Sequence, residues 1–580
     1  MSTHSDNELS FAEFKETVMR DYRIAVESRE ASILGRKEVL QGKAKFGIFG
    51  DGKEIAQVAM AKAFMPGDFR SGYYRDQTFM FAKNMLTVQQ WFAGLYAHAN
   101  LNAEPSSAGR QMGGHYSTRS INPDNNWANL TEQYNSSSDI SPTGSQMPRL
   151  LGLAMASKQY RNTPALQKAE FEKFSKNGNE IAFGTIGDAS TSEGMFWEAI
   201  NAAGVMQVPM VVSVWDDGYG ISVPIAYQTT KNSISEALKG MQRDKNSPGY
   251  EIIKVKGWDY PALCEAYEKA AQLCRKEHVP VLLHIEECTQ PQGHSTSGSH
   301  ERYKTTERLQ WEKDFDGIKK MREWILKFAI ATEDELSKID EQAKNDVKDA
   351  KNRAWKEYLD EIKQDQSKAL EVLQKFSAAS AEKEQVEKIT TELQKLKEPL
   401  RRDIVSAIKN VLRVTRNEKI AERDELLQLN NEFAIINQGI DVHTRKGSVP
   451  SCICIEGGNT NQSMHTIFSF QIPKNVISLY FQSHRLDACC FTILLIEFFH
   501  LIAALFSPHD IHAHKHIGPV LAFGSTRTGI DFQYSIQMIF FGAQHIAELQ
   551  FLNMLHSILV IDFYLLFSST FFFKKVIHNQ

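Results

Sequence analysis

Two loops carry residues whose types and spacing could do chemistry together. One reads Gly187-Asp188-Ala189-Ser190-Thr191-Ser192-Glu193-Gly194, the other Asp216-Asp217-Gly218-Tyr219-Gly220. Each follows an apolar run of strand length, at 181–186 and 210–215. Twenty-six residues separate Ala189 from Asp216, room for one crossover helix and the next strand. Both loops then leave one sheet edge side by side, and Asp188 and Asp217 converge. A hard cation with oxygen ligands suits that point, and magnesium usually takes phosphate oxygens there as well. Thr191 or Ser192 is expected to cap the helix that follows, whose N-terminus favours an anion. Taken alone, Asp216-Asp217-Gly218 is as well explained by an ordinary turn.

The elements that must position these loops are legible nearby. Apolar runs at 181–186, 210–215, 251–255 and 279–285 look like buried parallel strands. Helical patterns at 192–205 and 261–277 lie between them. Alternating strands and helices imply an α/β fold, a doubly wound parallel sheet covered on both faces. Ligands of such sheets bind beyond the carboxyl ends of the strands, where both loops lie.

The stretch GDASTSEGMFWEAINAAGVMQVPMVVSVWDDGYGISVP resembles the thiamine diphosphate signature of the alpha subunit of the decarboxylating component of 2-oxo-acid dehydrogenase complexes. The family's Gly-Asp-Gly stands here as Gly187-Asp188-Ala189, and its Asn-Asn as Asp216-Asp217. The second change keeps oxygen ligands but adds negative charge beside a diphosphate. It strengthens the hold on magnesium or requires a nearby cation to offset it. Other motifs occur in the family's order. Tyr74-Arg75 matches a pair whose Arg contacts the diphosphate. The segment from Gly109 to Tyr116 resembles the GRQM…HY segment of branched-chain members. The segment from Ser141 to Pro148 resembles the one lining the cofactor rings, with Thr143 in place of a Leu. Gly293-His294-Ser295 through Arg302-Tyr303 resembles the active-site loop. Singly, Arg75 reads as an exposed loop Arg and His294 as an inert loop His. The resemblance covers about residues 10–360.

The resemblance implies thiamine diphosphate and magnesium as cofactors, on the thiamine diphosphate-binding fold. It assigns the metal to Asp188, Asp217 and the Tyr219 carbonyl. Cofactor contacts fall to Tyr74, Arg75, Ser141, Thr143, Gly187, Asp188, Ala189, Glu193, Asp217, Tyr219 and His294. Proton handling and positioning fall to His115 and His294. The implied reaction is oxidative decarboxylation of a 2-oxo acid, with branched-chain acids favoured by the GRQM…HY segment. Acyl transfer to a lipoyl-bearing acyltransferase follows, in an oligomer with a beta-type subunit or half. A pyruvate or acetoin dehydrogenase alpha-type component is the alternative. So is a catalytically incomplete chain, because the family's activating Glu on the beta side has no recognisable counterpart here.

The 580 residues allow several domains. A net charge of -4 provides no general basic field for nucleic acid. Seven cysteines make no disulfide scaffold. Asp6, Glu8, Glu13 and Glu16 argue against a secretory or mitochondrial leader, so a cytoplasmic location is expected. Residues 1–360 are expected to form the cofactor-binding domain. Within 306–435, 54 of 130 positions are charged, and apolar residues recur at helical spacing, so long amphipathic helices are expected with 361–440 as a connector. Their charge run reads as solvated helix without chemistry. From 441 the text changes. Over 447–580 only 13 of 134 positions are charged, yet 10 of the 18 His lie there, and hydrophobic runs follow neither helical nor strand period. Three readings compete for this segment: text not shaped by selection for the fold, an unfamiliar domain, or a membrane-associated tail. The run 488–506 nears spanning length, but Glu497 and His500 interrupt it. His509, His512, His514 and His516 could bind a metal. The fragment 547–551 faintly resembles a beta-half strand.

Overall fold

The computed structural model describes residues 10–446, with side chains to 433, and the strands His465–Ile472 and Asn475–Gln482. The chain divides into two compact units, Met1–Cys454 and Ile455–Gln580. In the second unit the two strands form an antiparallel hairpin, His465 opposite Gln482 and Ile472 opposite Asn475. The 488–506 run, the 509–516 histidines and the 547–551 fragment lie outside the described residues. Among the described residues, no helix is long and apolar enough to cross a membrane.

The first unit is built on a parallel sheet, with its strands taken in chain order: β1 (Phe69–Ser71), β2 (Asn135–Ser136), β3 (Ala182–Gly187), β4 (Met210–Trp215), β7 (Glu251–Lys256) and β8 (Val281–Glu286). Two short strands, β5 (Tyr219–Gly220) and β6 (Val223–Pro224), form a separate antiparallel ribbon just beyond β4. The six sheet strands run in the order β2-β1-β3-β4-β8-β7. β3 and β4 pair in parallel from Ala182 opposite Met210 to Gly187 opposite Trp215. Their carboxyl ends are therefore level, and the loops after them start side by side.

Alternation along the strands builds two hydrophobic layers, because successive side chains point to opposite faces. Phe183, Val211, Trp215, Leu283 and Ile285 pack into one core with the helices Phe11–Leu40, Glu54–Ala63 and Tyr260–Glu277. Ile186, Met210, Val212, Val214 and Leu282 pack into the other with Gln146–Asn162 and Gly194–Met206. The sheet is thus covered on both faces, as the alternating pattern predicts. The expected strand at 210–215 stands as read, and the other three differ by one or two residues at their ends. The 279–285 run loses its first two positions because Pro280 has no N–H to pair; its carbonyl accepts the Glu251 N–H at 3.0 Å. The helix expected at 192–205 starts at Gly194, since 189–192 form a tighter 3₁₀ turn.

The charged region is helical, as its spacing predicts. A 47-residue helix, Glu333–Ala379, runs through position 360, where the sequence marks a boundary. Its first half puts Leu336, Ala343, Val347 and Ala354 into the core beside the sheet. Its second half puts Ile362, Ala369, Leu373 and Phe376 into a separate core shared with Lys383–Lys395, Arg401–Val414 and the start of Ala421–Lys446.

Candidate active site

Asp188 opens the 3₁₀ turn directly after β3, and its N–H donates to the Trp215 carbonyl of β4 at 3.2 Å. The carboxyl is 3% exposed, and its Oδ2 has no hydrogen-bond partner. Burial first, then the nearby Asp217 and Asp216, push the Asp188 carboxyl well above the ordinary carboxylate range, while Lys53 opposes them. Asp217 goes the other way. Burial raises it, but Lys53, Arg75 and Lys304 together outweigh that and leave it below its usual value. The expected pair of acids therefore does converge, and the two are electrostatically unlike.

The cation beside Asp217 is Lys53, which the motif reading did not include. Its Nζ donates to Asp217 Oδ2 at 2.7 Å, to the Thr289 carbonyl at 2.9 Å and to Gln290 Oε1 at 2.5 Å. The available signal was a Gly-x-Gly-Lys run, Gly50-Asp51-Gly52-Lys53, just before a helix. Asp216 is turned elsewhere. Its Oδ2 accepts from His284 Nε2 at 2.8 Å, on the neighbouring strand β8, while the Ser235 hydroxyl meets His284 Nδ1 at 2.8 Å. Asp216 is thus a structural brace, and Asp217 is the member of the pair that joins Asp188.

Three further residues buttress the second loop. Arg308 donates to the Asp217 carbonyl at 2.7 Å, and both Arg308 and Lys304 pair with the buried Glu312 at 3.0 and 2.6 Å. Tyr219 is half-buried beneath them, with the Lys304 ammonium 5.2 Å and the Arg308 guanidinium 5.5 Å from its ring centroid, and Tyr303 beside it. No motif pointed to Arg308 or Glu312; Arg308 reaches Asp217 from 91 residues downstream in sequence.

Arg75 and His294 meet. Arg75 Nη2 donates to His294 Nδ1 at 3.0 Å and to its carbonyl at 3.1 Å, while Nη1 donates to the Phe49 carbonyl at 2.7 Å. A guanidinium can only donate, so Nδ1 is the acceptor and the neutral ring carries its proton on Nε2. Burial, then Arg75, pull His294 down to about 4, so it is neutral at pH 7. His115 is a second pair. Its Nδ1 donates to the Met112 carbonyl at 3.0 Å, which leaves Nε2 to accept from the Ser141 hydroxyl at 2.9 Å.

The remaining expected residues lie at or after the carboxyl ends of β1, β2 and β3. Tyr74 is half-buried against Gly114, whose added Cβ would fall 2.7 Å from the Tyr74 carbonyl. Gly144, beside the half-buried Thr143, lies against Glu193 in the same way, at 3.0 Å. Gly187 faces the Tyr73 hydroxyl, and Ala189 touches the ribbon at Gly220. Glu193 itself is exposed. The expected cap is not made. Thr191 donates to the Asp188 carbonyl and Ser192 to the Gln228 carbonyl, so the helix Gly194–Met206 begins at Glu193 with no side-chain cap. The 3₁₀ turn carries both hydroxyls past the helix start. Among the described residues, no group of three or more His, Cys, Asp or Glu side chains could hold a metal; the acids here are two.

One buried hub lies beneath the loops after β1 and β2. Arg70 donates to Asp76 at 2.6 Å and to both oxygens of Asp139 at 3.1 and 3.0 Å. Asp76 also accepts from Thr185 of β3 and from the Trp215 indole of β4, and Asp139 from the Tyr116 N–H. The loops after β1 and β2 are thereby tied to the strands β3 and β4.

The family model described as "Dehydrogenase E1 component" matches residues 22–363. Relatives include the 2-oxoisovalerate dehydrogenase subunit alpha 1, mitochondrial, of Arabidopsis thaliana, 27% identical over 318 residues, 54% of this chain and 58% of that protein. The pyruvate dehydrogenase E1 component subunit alpha of Acholeplasma laidlawii is 28% identical over 343 residues, 58% of this chain and 83% of that one. The 2-oxoisovalerate dehydrogenase subunit alpha of Bacillus subtilis (strain 168) is 26% identical over 330 residues, 55% and 87% of the two chains. The match spans more than half of the sequence and includes every loop of the site, so the chain belongs to the dehydrogenase E1 component family, as an alpha-type chain.

Proposed function

We propose that this chain binds thiamine diphosphate through magnesium at the β3–β4 edge and decarboxylates a 2-oxo acid, with branched-chain acids as the preferred class. A beta-type subunit completes the cleft, and a lipoyl-bearing acyltransferase receives the acyl group. The observation that carries this reading is the buried Asp188 Oδ2, which has no donor and lies beside an ionised Asp217. A buried carboxylate oxygen without a donor fits a hard cation.

Asp188, Asp217 and the Tyr219 carbonyl would hold the cation. Arg75, whose hydrogen-bond partners are the neutral Phe49 carbonyl and His294, and the N-terminus of Gly194–Met206, which has no side-chain cap, favour a diphosphate. Tyr74, Ser141, Thr143, Gly187, Ala189 and Glu193 border the space left for the rings. The bound cofactor supplies the electron sink for loss of carbon dioxide. The protein's own part is to orient, to exclude water and to place donors. His294, neutral with its proton on Nε2, acts as a fixed hydrogen-bond donor to a substrate oxygen. His115 has its tautomer set by Met112, and Ser141 supplies the proton nearest to its Nε2.

The GRQM…HY segment supports branched-chain substrates, and the 2-oxoisovalerate relatives point the same way. The Acholeplasma laidlawii relative supports pyruvate as the second reading. Calorimetry with Asp188→Ala tests the site: thiamine diphosphate binding in the presence of magnesium is expected to disappear, and unchanged affinity rejects it. Decarboxylation of 2-oxoisovalerate against pyruvate, with an artificial electron acceptor and a related beta subunit added, tests the substrate. No turnover without that subunit is the expected result, because no activating Glu is recognisable in this chain.

A further inference from the structure

Lys53 is 1% exposed, and its three acceptors match the three donors of an ammonium. The loop that delivers it cannot back away. Gly52, at φ +86°, lies so close to the Thr289 carbonyl that a side chain there would overlap it, and Gly50 is pressed in the same way on the Arg75 carbonyl. The Lys53 N–H donates to the Gly50 carbonyl at 3.2 Å, which closes the turn. The ammonium is therefore held against Asp217 by backbone and not by chance rotamer choice.

Of the three acceptors only Asp217 carries charge. A buried ammonium without a counter-charge bears a heavy desolvation penalty, and so does the Asp217 carboxylate without Lys53. The other charged groups around the pair are Asp188, Asp216, Arg75 and Lys304. Of these, Asp216 is taken by His284 and Lys304 by Glu312. The family pattern has a neutral Asn where this chain has Asp217. An Asp adds one negative charge at that point, and Lys53 adds one positive charge to the same atom cluster.

Resting on the cofactor reading above, we propose that Lys53 and Asp217 form one charge-neutral unit that replaces a neutral amide at the metal edge. Lys53 is a positioning residue. It holds Asp217 Oδ2, fixes the carboxylate plane, and leaves Oδ1, which accepts only a 3.2 Å bond from the Tyr219 N–H, on the side open to a cation. It also removes the extra repulsion that a second bare carboxylate would exert on a diphosphate. The resemblance, with Asn at this position, implies that Asp217→Asn is tolerated, since Asn offers one oxygen in the same place. The ion pair reverses that expectation: Asp217→Asn strands the Lys53 ammonium among neutral acceptors.

A double-mutant cycle on the full chain tests the unit. Lys53→Gln, Asp217→Asn and the double variant K53Q/D217N are compared with the native protein in two measurements. The first is the urea midpoint with no cofactor present. Each single variant is expected to lower it, and the double variant to recover at least about half of the larger loss. Single variants that fail to fold beside a double variant that folds also support the pairing. A double variant no more stable than the worse single variant, or an Asp217→Asn protein as stable as the native one, overturns it. The second is calorimetry with thiamine diphosphate and magnesium. Each single variant should bind at least about tenfold more weakly, and the double variant within about threefold of native. Independent, multiplying losses overturn the proposal. If the native protein binds no thiamine diphosphate, the cofactor reading fails, while the urea cycle still decides whether Lys53 and Asp217 are one unit.

Discussion

Two regions of the first unit use charge in opposite ways. Beneath the loops of the site, ion pairs are buried, although exposed pairs such as Lys254–Glu236 also occur on the outer strand of the sheet. Arg70, Asp76 and Asp139 are each at most 1% exposed, and Lys53–Asp217 and Lys304–Glu312 lie under the loops that border the cleft. In the helices from 333 to 433, the pairs lie partly or largely in solvent. Lys356–Asp360 and Lys368–Glu432 have side chains 39–77% exposed. The helical region is the more charged in composition, yet the acids that burial pushes upward, Asp68, Asp139 and Asp188 among them, lie in the sheet region, whereas Glu335 at the start of the long helix is held low by its hydrogen-bond partners. Charge density marks a solvated face; chemistry is marked by charge that burial has made costly. Changing one residue in each region therefore has very different consequences.

The largest expected effect is at Arg70. Arg70→Ala removes the one cation between two buried carboxylates and leaves Asp76 and Asp139 uncompensated. A loss of about 3–5 kcal/mol in urea unfolding is expected, the range for breaking a buried pair. The site loops should also lose register, visible as weaker binding of thiamine diphosphate in any protein that still folds. A loss below about 1 kcal/mol would place Arg70 with the surface pairs and erase the contrast between the two regions.

Much of the sheet region was legible because its signals are local. The 210–215 run needs no partner to be read as a strand, and Met210–Trp215 is that strand. The 261–277 pattern becomes the helix Tyr260–Glu277, capped by Asp259. The two outer strands were not legible, since three residues (Phe69–Ser71) and two residues (Asn135–Ser136) carry no periodicity. Within the site, Asp188 and Asp217 follow from loop spacing. Lys53 and Arg308 do not, because each reaches its partner across 164 or 91 residues of chain and nothing local encodes the meeting. The departure of Asp217 from the family pattern did pose the need for a nearby cation; only the fold identifies it. The helix cap failed for a different reason: a 3₁₀ turn and a helical turn look alike in four residues, Ala189–Ser192.

A middle-sized effect distinguishes the two regions by pH. His294 stays neutral in the folded protein down to about 4, because burial and Arg75 disfavour its cation, whereas an unperturbed His protonates near 6.5. As pH falls, the unfolded chain therefore binds the proton first. The stability that His294 contributes is complete above about 6.5, declines between 6.5 and about 4, and is flat below. With allowance for its partial exposure, the decline is on the order of 2 kcal/mol. His294→Gln should flatten this part of the urea-against-pH curve. An unchanged slope would mean that the ring is solvated and lies outside the buried set.

The smallest effect belongs to the helices, where it is the control for everything above. Lys368 of the long helix pairs with Glu432 at 2.6 Å, a shorter contact than the 2.7 Å of Lys53–Asp217. Distance alone would rank the two as equals. Lys368 is 58% exposed, however, so water solvates its ammonium with or without the partner, and holding two long side chains together costs rotamer freedom. Lys368→Ala also places a better helix former at an exposed site, which offsets part of any loss. The urea midpoint of Lys368→Ala is expected to stay within about 0.1 M of the native value. A shift of about 0.5 M or more would make the surface network a real contributor. It would then be contact distance, and no longer burial, that separates the ion pairs that matter in this protein from those that do not.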